Sequence, residues 1–256
     1  MVKYSYIVAE GPQDIEFLIC LLKLSGLRRI TKLSALDSFW EPLVPKTFPI
    51  DDDLMKRVPV PNFLKNDQLS IALHSATGIT RLANTVEESL ALIPSSEIFG
   101  IGFVLDADNS ETPLERFTEL INKIRPLRLP LPSKLGEVAN SSPRLGIFIM
   151  PNNCIPGTLE DILIECANLN YPDLLQLASN YVSSINTDQL TEKDLHELNK
   201  LAGKNKAVIS SITSILKPGR TLQVSLQDNR WLNEKTLNLE SINLMKKFLE
   251  QITGIT

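Results

Sequence analysis

Two pairs of acids stand where apolar runs stop. Glu10 follows the run YSYIVA at 4–9 and is followed at once by Gly11, with Asp14 four residues after it. Asp106 and Asp108 close a second run, EIFGIGFVLDAD at 97–108. In open α/β sheets, functional groups gather just beyond the carboxyl ends of parallel strands. Alternation along an extended segment sends Asp106 and Asp108 to one side and Ala107 to the other. If the two runs are neighbouring strands, three or four carboxylates meet in a small volume. Such a group raises its own pKa values unless a cation compensates. A hard divalent ion, Mg2+ or Mn2+, is the compensation that carboxylate oxygens prefer. Gly11, lacking Cβ, lets backbone or ligand approach closely. The N–H groups opening the next helix then have the geometry to hold a phosphate oxygen. Metal and phosphate at one strand edge imply phosphoryl chemistry on a phosphodiester or a nucleotide.

The elements that must position these acids are legible in the hydrophobic pattern. YSYIVA reads as a short buried strand, and residues 11–26 as a helix with Pro12 in its first turn and Gly26 as its stop. Residues 33–66 are rich in proline and mixed aromatics and read as an irregular insertion; its acidic run, Asp51–Asp53, reads as a solvated loop or helix start. QLSIALHSA is a second strand and GITRLANTVEESLALI a helix. EIFGIGFVLDAD is the strongest strand. TPLERFTELINKI is a helix with Thr112 as cap, and RPLRLPLPSK an extended crossing. Residues 134–151 read as two strands joined by an Asn-Ser-Ser-Pro turn. GTLEDILIECANL is a helix capped by Thr158. Beyond Tyr171 the pattern is largely helical, including one long stretch from Thr191, whose pairing with Asp194 has the form of a capping box. Trp40 and Trp231 lie outside any motif and read as packing residues.

Strands alternating with helices imply an α/β fold with a mainly parallel sheet and helices on both faces. The expected organisation is an α/β domain over 1–168 with the insertion at 33–66, and a C-terminal helical region over 169–256 packed on it. The chain has 256 residues, 43% apolar, long enough for a core without staples. A net charge of −4 argues against a protein that coats nucleic acid, though not against an enzyme that touches it through a local patch. Three cysteines, Cys20, Cys154 and Cys166, with no CxxC pair, read as reduced core thiols. Two distant histidines, His74 and His196, make a zinc site improbable. With no signal-like or membrane-length apolar segment, a cytoplasmic location without membrane contact is expected.

The motifs carry a resemblance. IVAEGPQDIEFL is similar to the first motif of TOPRIM domains, an apolar strand, then Glu-Gly, then Asp four residues after the Glu. GFVLDAD resembles their Asp-x-Asp motif, and GIFIMPNNCIPGTLEDIL resembles the third acidic element of the overcoming-lysogenisation-defect nucleases. Small stand-alone bacterial TOPRIM-like proteins resemble the chain most, over residues 1–165 in order. The resemblance implies a TOPRIM-like fold and Mg2+- or Mn2+-dependent hydrolysis of nucleic-acid phosphodiesters. It implies Glu10 as acid/base or metal ligand, and Asp14, Asp106 and Asp108 as metal ligands. It also implies Glu160 and Asp161 as late acids of a second metal. Lys204 and Lys206 are the candidates for a lysine that stabilises developing charge, with Lys206 preferred. The chain departs from the pattern in DADNSETP, where the nuclease branch has a nearby Gly. It contains no GxxxxGK[ST] stretch, no topoisomerase tyrosine motif and no primase-type zinc set. The alternative is a non-catalytic TOPRIM-like module that binds a metal–nucleotide complex or a partner protein. A receiver-like phosphoacceptor fits less well, because Glu10 is followed by Gly rather than a second acid. Gly100 and Gly102 lack the third glycine of a dinucleotide fingerprint.

Overall fold

The computed structural model describes all residues except Met1, 48–59, Thr77, Ile79, Thr80, 108–111, Leu201 and Thr256. The acids Asp51–Asp53 and Asp108 therefore lie outside the described residues. The chain divides into two compact units, one of residues 1–105, 117–148 and 247–256, the other of 106–116 and 149–246.

The first unit is organised by a seven-stranded sheet. Its strands are β1 (Lys3–Ala9), β2 (Arg28–Ile30), β3 (Asn62–Lys65), β4 (Leu69–Ser75), β5 (Ile98–Asp106), β6 (Val138–Ala139) and β7 (Arg144–Met150). Their order is β2-β3-β4-β1-β5-β7-β6. β1 is parallel to both its neighbours, β4 and β5. The outer pairs β2–β3, β3–β4 and β6–β7 are antiparallel. The fold is thus mixed α/β, with parallel pairing at its centre. Residues Tyr6 to Ala9 have no exposed surface, as expected of a central parallel strand that reads as an unbroken apolar run.

One strand lies in the stretch that reads as irregular, and another just before it, where the sequence assigned no element. The prolines of RVPVPNF end at Pro61, and β3 begins at the next residue. It turns back into β4 through Asn66, whose side-chain oxygen accepts from the N–H groups of Gln68 and Leu69 at 2.9 Å each. That Asx geometry closes an antiparallel hairpin. β2 is only three residues long, too short for any periodicity to show. Other parts of the insertion pack as short 3-10 turns at 33–35 and 38–43. Trp40 is wholly buried there and its indole N–H donates to Ser70 Oγ at 2.9 Å.

The helices of this unit include α1 (Pro12–Leu24), α2 (Leu82–Leu90) and most of α3 (Pro113–Ile124). The end of α9 (Glu240–Thr253) lies on β5 and β7. There Gly100 of β5 and Gly146 of β7 find their use. A Cβ on Gly100 would stand 2.0 Å from the Ile252 carbonyl oxygen, and one on Gly146 2.8 Å from the Phe248 ring. Glycine in these strands makes room for a helix, not for a dinucleotide.

The second unit is helical: α4 (Leu159–Asn170), α5 (Pro172–Ser183), α6 (Glu192–Asn199), α7 (Gly203–Leu216), α8 (Leu222–Asp228) and the start of α9. The single helical stretch expected from Thr191 is two helices. α6 opens on the expected Thr191–Asp194 capping box. It stops at Asn199, and α7 starts at Gly203, whose N–H bonds the Lys200 carbonyl at 2.7 Å. A Cβ on Gly203 would meet the Glu197 carbonyl oxygen at 2.3 Å, so the joint requires glycine. Trp231 is buried and its N–H donates to Ser225 Oγ at 2.9 Å. Of the three thiols, Cys166 is buried and Cys20 half-buried, whereas Cys154 is exposed and does not pack in the core. Among the described residues no helix is long and apolar enough to cross a membrane.

Candidate functional site

In the first unit the site is the turn from β1 into α1. The Ala76 N–H donates to the Ala9 carbonyl at 2.9 Å and the Gly78 N–H to the Glu10 carbonyl at 3.0 Å. The backbone of Glu10 is thereby tied to the segment leaving β4, and its side chain is half-buried. Gly11 is the residue before α1, with φ −129°, an extended conformation open to any residue. Its N–H donates to Asp14 Oδ2 at 2.8 Å. Asp14 is buried and turned back onto the helix start, where an acid is favoured by the dipole and by the capping box. Pro12 has no N–H to offer. The turn therefore presents fewer donors to a phosphate than the sequence implies.

In the second unit the site is the end of β5 against the start of α4. Asp106 is half-buried and closes β5. Its Oδ1 accepts the Leu159 N–H at 3.1 Å, which satisfies one of the unpaired donors at the opening of α4. Its backbone carbonyl accepts from Arg116 Nε at 3.3 Å, and Arg116 is 6% exposed. The Ala107 N–H is shared between the carbonyls of Met150 and Gly157, at 3.2 and 3.0 Å. Asp161 behaves as Asp14 does: its Oδ2 accepts the Thr158 N–H at 2.7 Å. Its other oxygen accepts from Asn205 Nδ2 at 2.8 Å, a bond from α7 to α4. Thr158 is fully buried and its hydroxyl donates to Glu160 Oε2 at 2.8 Å. Glu160 is itself buried. Gly157 fits here because a Cβ would stand 2.8 Å from Asp161 Oδ2.

Each described acid proposed from sequence thus sits at a strand end or in a first helical turn. Two of them, Asp14 and Asp161, are engaged as helix caps. Among the described residues, no three His, Cys, Asp or Glu side chains come together as a metal-ligand group. Lys204 and Lys206 are on the exposed side of α7. The α7 residue that reaches an acid is Asn205, between them. Arg116 and Thr158 are the other contributors that sequence reasoning missed as site residues. A polar residue flanked by two lysines carries no local sign of a partner 44 positions away.

Comparison with known proteins places the chain without naming its chemistry. No curated protein matches it. Among solved structures it is similar to the hypothetical protein PH0156 from Pyrococcus horikoshii OT3, with a TM-score of 0.54 and 19% identity over 98% of this chain and 100% of that one. At that identity the likeness concerns the fold alone. Residues 4–253 match the family described as Protein of unknown function (DUF3226), and the chain belongs to that family.

Proposed function

We propose that the chain is a TOPRIM-like protein that hydrolyses nucleic-acid phosphodiesters with Mg2+ or Mn2+, through the acids that end β1 and β5. One observation supports this reading most. β1 and β5 are parallel neighbours, with Ala9 opposite Val104, and each runs directly into an acid, Glu10 and Asp106. Adjacency of those two strands is the condition on which the sequence argument turned. The donor types suit a hard cation. The sequence motif assigns Asp108 to the same set. Glu10, Asp106 and Asp108 would hold the ion, which supplies Lewis-acid stabilisation of phosphoryl charge. Asp14 and Asp161 then act by shaping the two turns. Glu160, buried on the Thr158 hydroxyl, stands beside the second turn, and Lys206 is the exposed cation assigned to developing charge.

The test is cleavage of single- and double-stranded DNA and RNA with Mg2+ or Mn2+. Cleavage by the parent chain that is lost in Asp106→Asn supports the reading. A second reading has its own observation: acids engaged as caps, and a buried Arg116 beside the end of β5, describe a module that binds without cutting. Inactivity on all four substrates, with retained Mn2+ binding, selects that module.

A further inference from the structure

A groove of about 200 Å³ lies beside β2 and β3 in the first unit. Its apolar lining is Ile30, Leu33, Leu36, Val44, Val60 and Phe63. Leu33 is 64% exposed and Val60 46%, so the lining presents large apolar side chains to water. A void of about 150 Å³ lined by similar residues takes up benzene, so an aromatic or branched side chain fits here.

Positive charge gathers at the same place. β2 and β3 pair with Ile30 opposite Phe63 and Arg28 opposite Lys65. Alternation along the strands puts both pairs on one face of the sheet, so the cationic pair continues the face on which the apolar pair lines the groove. Like charges directly opposite one another destabilise a sheet. Lys32 is the charged side chain of the lining, which holds no acid among the described residues. Residues 27–36 contain Arg28, Arg29 and Lys32 without an acid, and residues 60–66 contain Lys65 without one, in a chain of net charge −4. Arg29 is paired with Glu16 at 2.6 Å, and Lys65 donates to the Ala35 carbonyl at 2.6 Å. Arg28 and Lys32 are both exposed.

Among the described residues β2 is also the outermost strand on its side of the sheet. An outermost strand offers backbone N–H and C=O groups to a further strand. A strand added there sets one side chain beside Ile30 and the groove, and the side chain two residues away beside Arg28. We infer that β2 and the groove bind an extended segment of a partner protein, with an acid and an apolar side chain two residues apart, as an added strand. Charge complementarity selects this occupant. A second copy joined edge to edge through β2 would set arginines against arginines. A nucleic-acid strand answers the cations but has no peptide N–H and C=O groups to pair with the strand edge.

The probe is the peptide acetyl-Thr-Glu-Thr-Phe-Thr-amide, titrated without metal into the 15N-labelled chain and followed by amide chemical shifts. Threonine at the other positions favours an extended peptide. Saturable shifts are expected at Arg28, Arg29, Ile30 and Lys32. The same peptide with Lys in place of Glu should bind about tenfold more weakly, because it brings like charges together at the contact. Arg28→Glu places an acid opposite Lys65 and so spares the strand pair; it should weaken the acidic peptide and favour the basic one. Leu33→Ser, at an exposed position, should weaken both peptides. Unmoved β2 amides, equal affinity for the two peptides, or indifference to Arg28→Glu overturns the proposal. A dimer in sedimentation that Arg28→Glu alters would assign the edge to a second copy. A single-stranded oligonucleotide that shifts the β2 amides where the acidic peptide does not would assign it to nucleic acid. Either result also overturns the proposal.

Discussion

Gly100→Ala adds one methyl group at the most crowded point of the first unit. The new Cβ would stand 2.0 Å from the Ile252 carbonyl oxygen and 2.9 Å from its carbon. Real Cβ atoms do not come closer than about 3.0 Å, so the α9 backbone must withdraw by about 1 Å. The obstacle is backbone, which has no rotamer to change. Overpacking of this kind costs about 1–3 kcal/mol. The same carbonyl accepts a hydrogen bond from Ser5 Oγ at 3.3 Å, and losing it adds about 1 kcal/mol. The sum is a loss of about 3 kcal/mol. Gly102→Ala is the internal control, two residues along the same strand. Its Cβ would meet Ile252 Cγ2 and Phe248 Cζ at 3.4 Å, ordinary contact, and a change within about 1 kcal/mol is expected. Urea unfolding followed by circular dichroism reads both. With a slope of about 2–3 kcal/mol per molar, Gly100→Ala should lower the midpoint by about 1 M and Gly102→Ala by far less. If the two variants unfold together, or Gly102→Ala is the worse, the end of α9 does not lie over β5 as described.

Four further outcomes follow from other parts of the molecule. Asp161→Ala should destabilise the metal-free protein by about 1–2 kcal/mol, because it strips the Thr158 N–H and Asn205 of their acceptor; a stabilised variant would mean that Asp161 is held there under charge repulsion instead. Arg29→Met should cost about 3 kcal/mol in urea, since Glu16, 2.6 Å from the guanidinium and 7% exposed, is left charged and buried, and a midpoint equal to that of the parent would show the pair to be inert. Burial, with Glu16 adding to it, lifts the Cys20 thiol to about 11, and burial chiefly lifts Cys166 to about 12. The unfolded chain therefore loses these protons first, near pH 9, and stability should fall as pH rises from about 9 through 11 and 12. Iodoacetamide at pH 8 should modify exposed Cys154 well before the other two, which peptide mass analysis will show; early labelling of Cys166 would contradict the packing.

Much of this architecture can be read from the chain because its central strands are unbroken apolar runs. β1, β4, β5 and β7 announce themselves in this way, and α1 and α4 by their acids, caps and stops. What stayed hidden depends on contacts between distant residues. β2 is three residues long and β3 four, and each is a strand only because a hairpin partner supplies its hydrogen bonds. The break between α6 and α7 turns on Gly203 meeting carbonyls of the preceding helix, a three-dimensional fact written as one letter. Gly100 and Gly102 look like nucleotide-loop glycines until α9, about 150 positions later in the chain, is found lying on them. The same limit applies to the site. Glu10 and Asp106 were legible as strand-end acids, and the strands they follow, β1 and β5, are parallel neighbours. The roles of Asp14 and Asp161 as caps follow a spacing that the sequence does contain, Gly11 or Thr158 followed three residues later by Asp. Asn205 and Arg116 carry no local pattern at all.

Binding of Mn2+, followed by electron paramagnetic resonance of the free ion, is the most direct measurement. The variants are Glu10→Gln and Asp106→Asn, the second of which keeps an oxygen to accept the Leu159 N–H and so preserves the start of α4. The account predicts a stoichiometric Mn2+ site in the parent chain that weakens at least tenfold, about 1.4 kcal/mol, in each variant. Equal Mn2+ affinity in all three proteins, or no site in any of them, would contradict it.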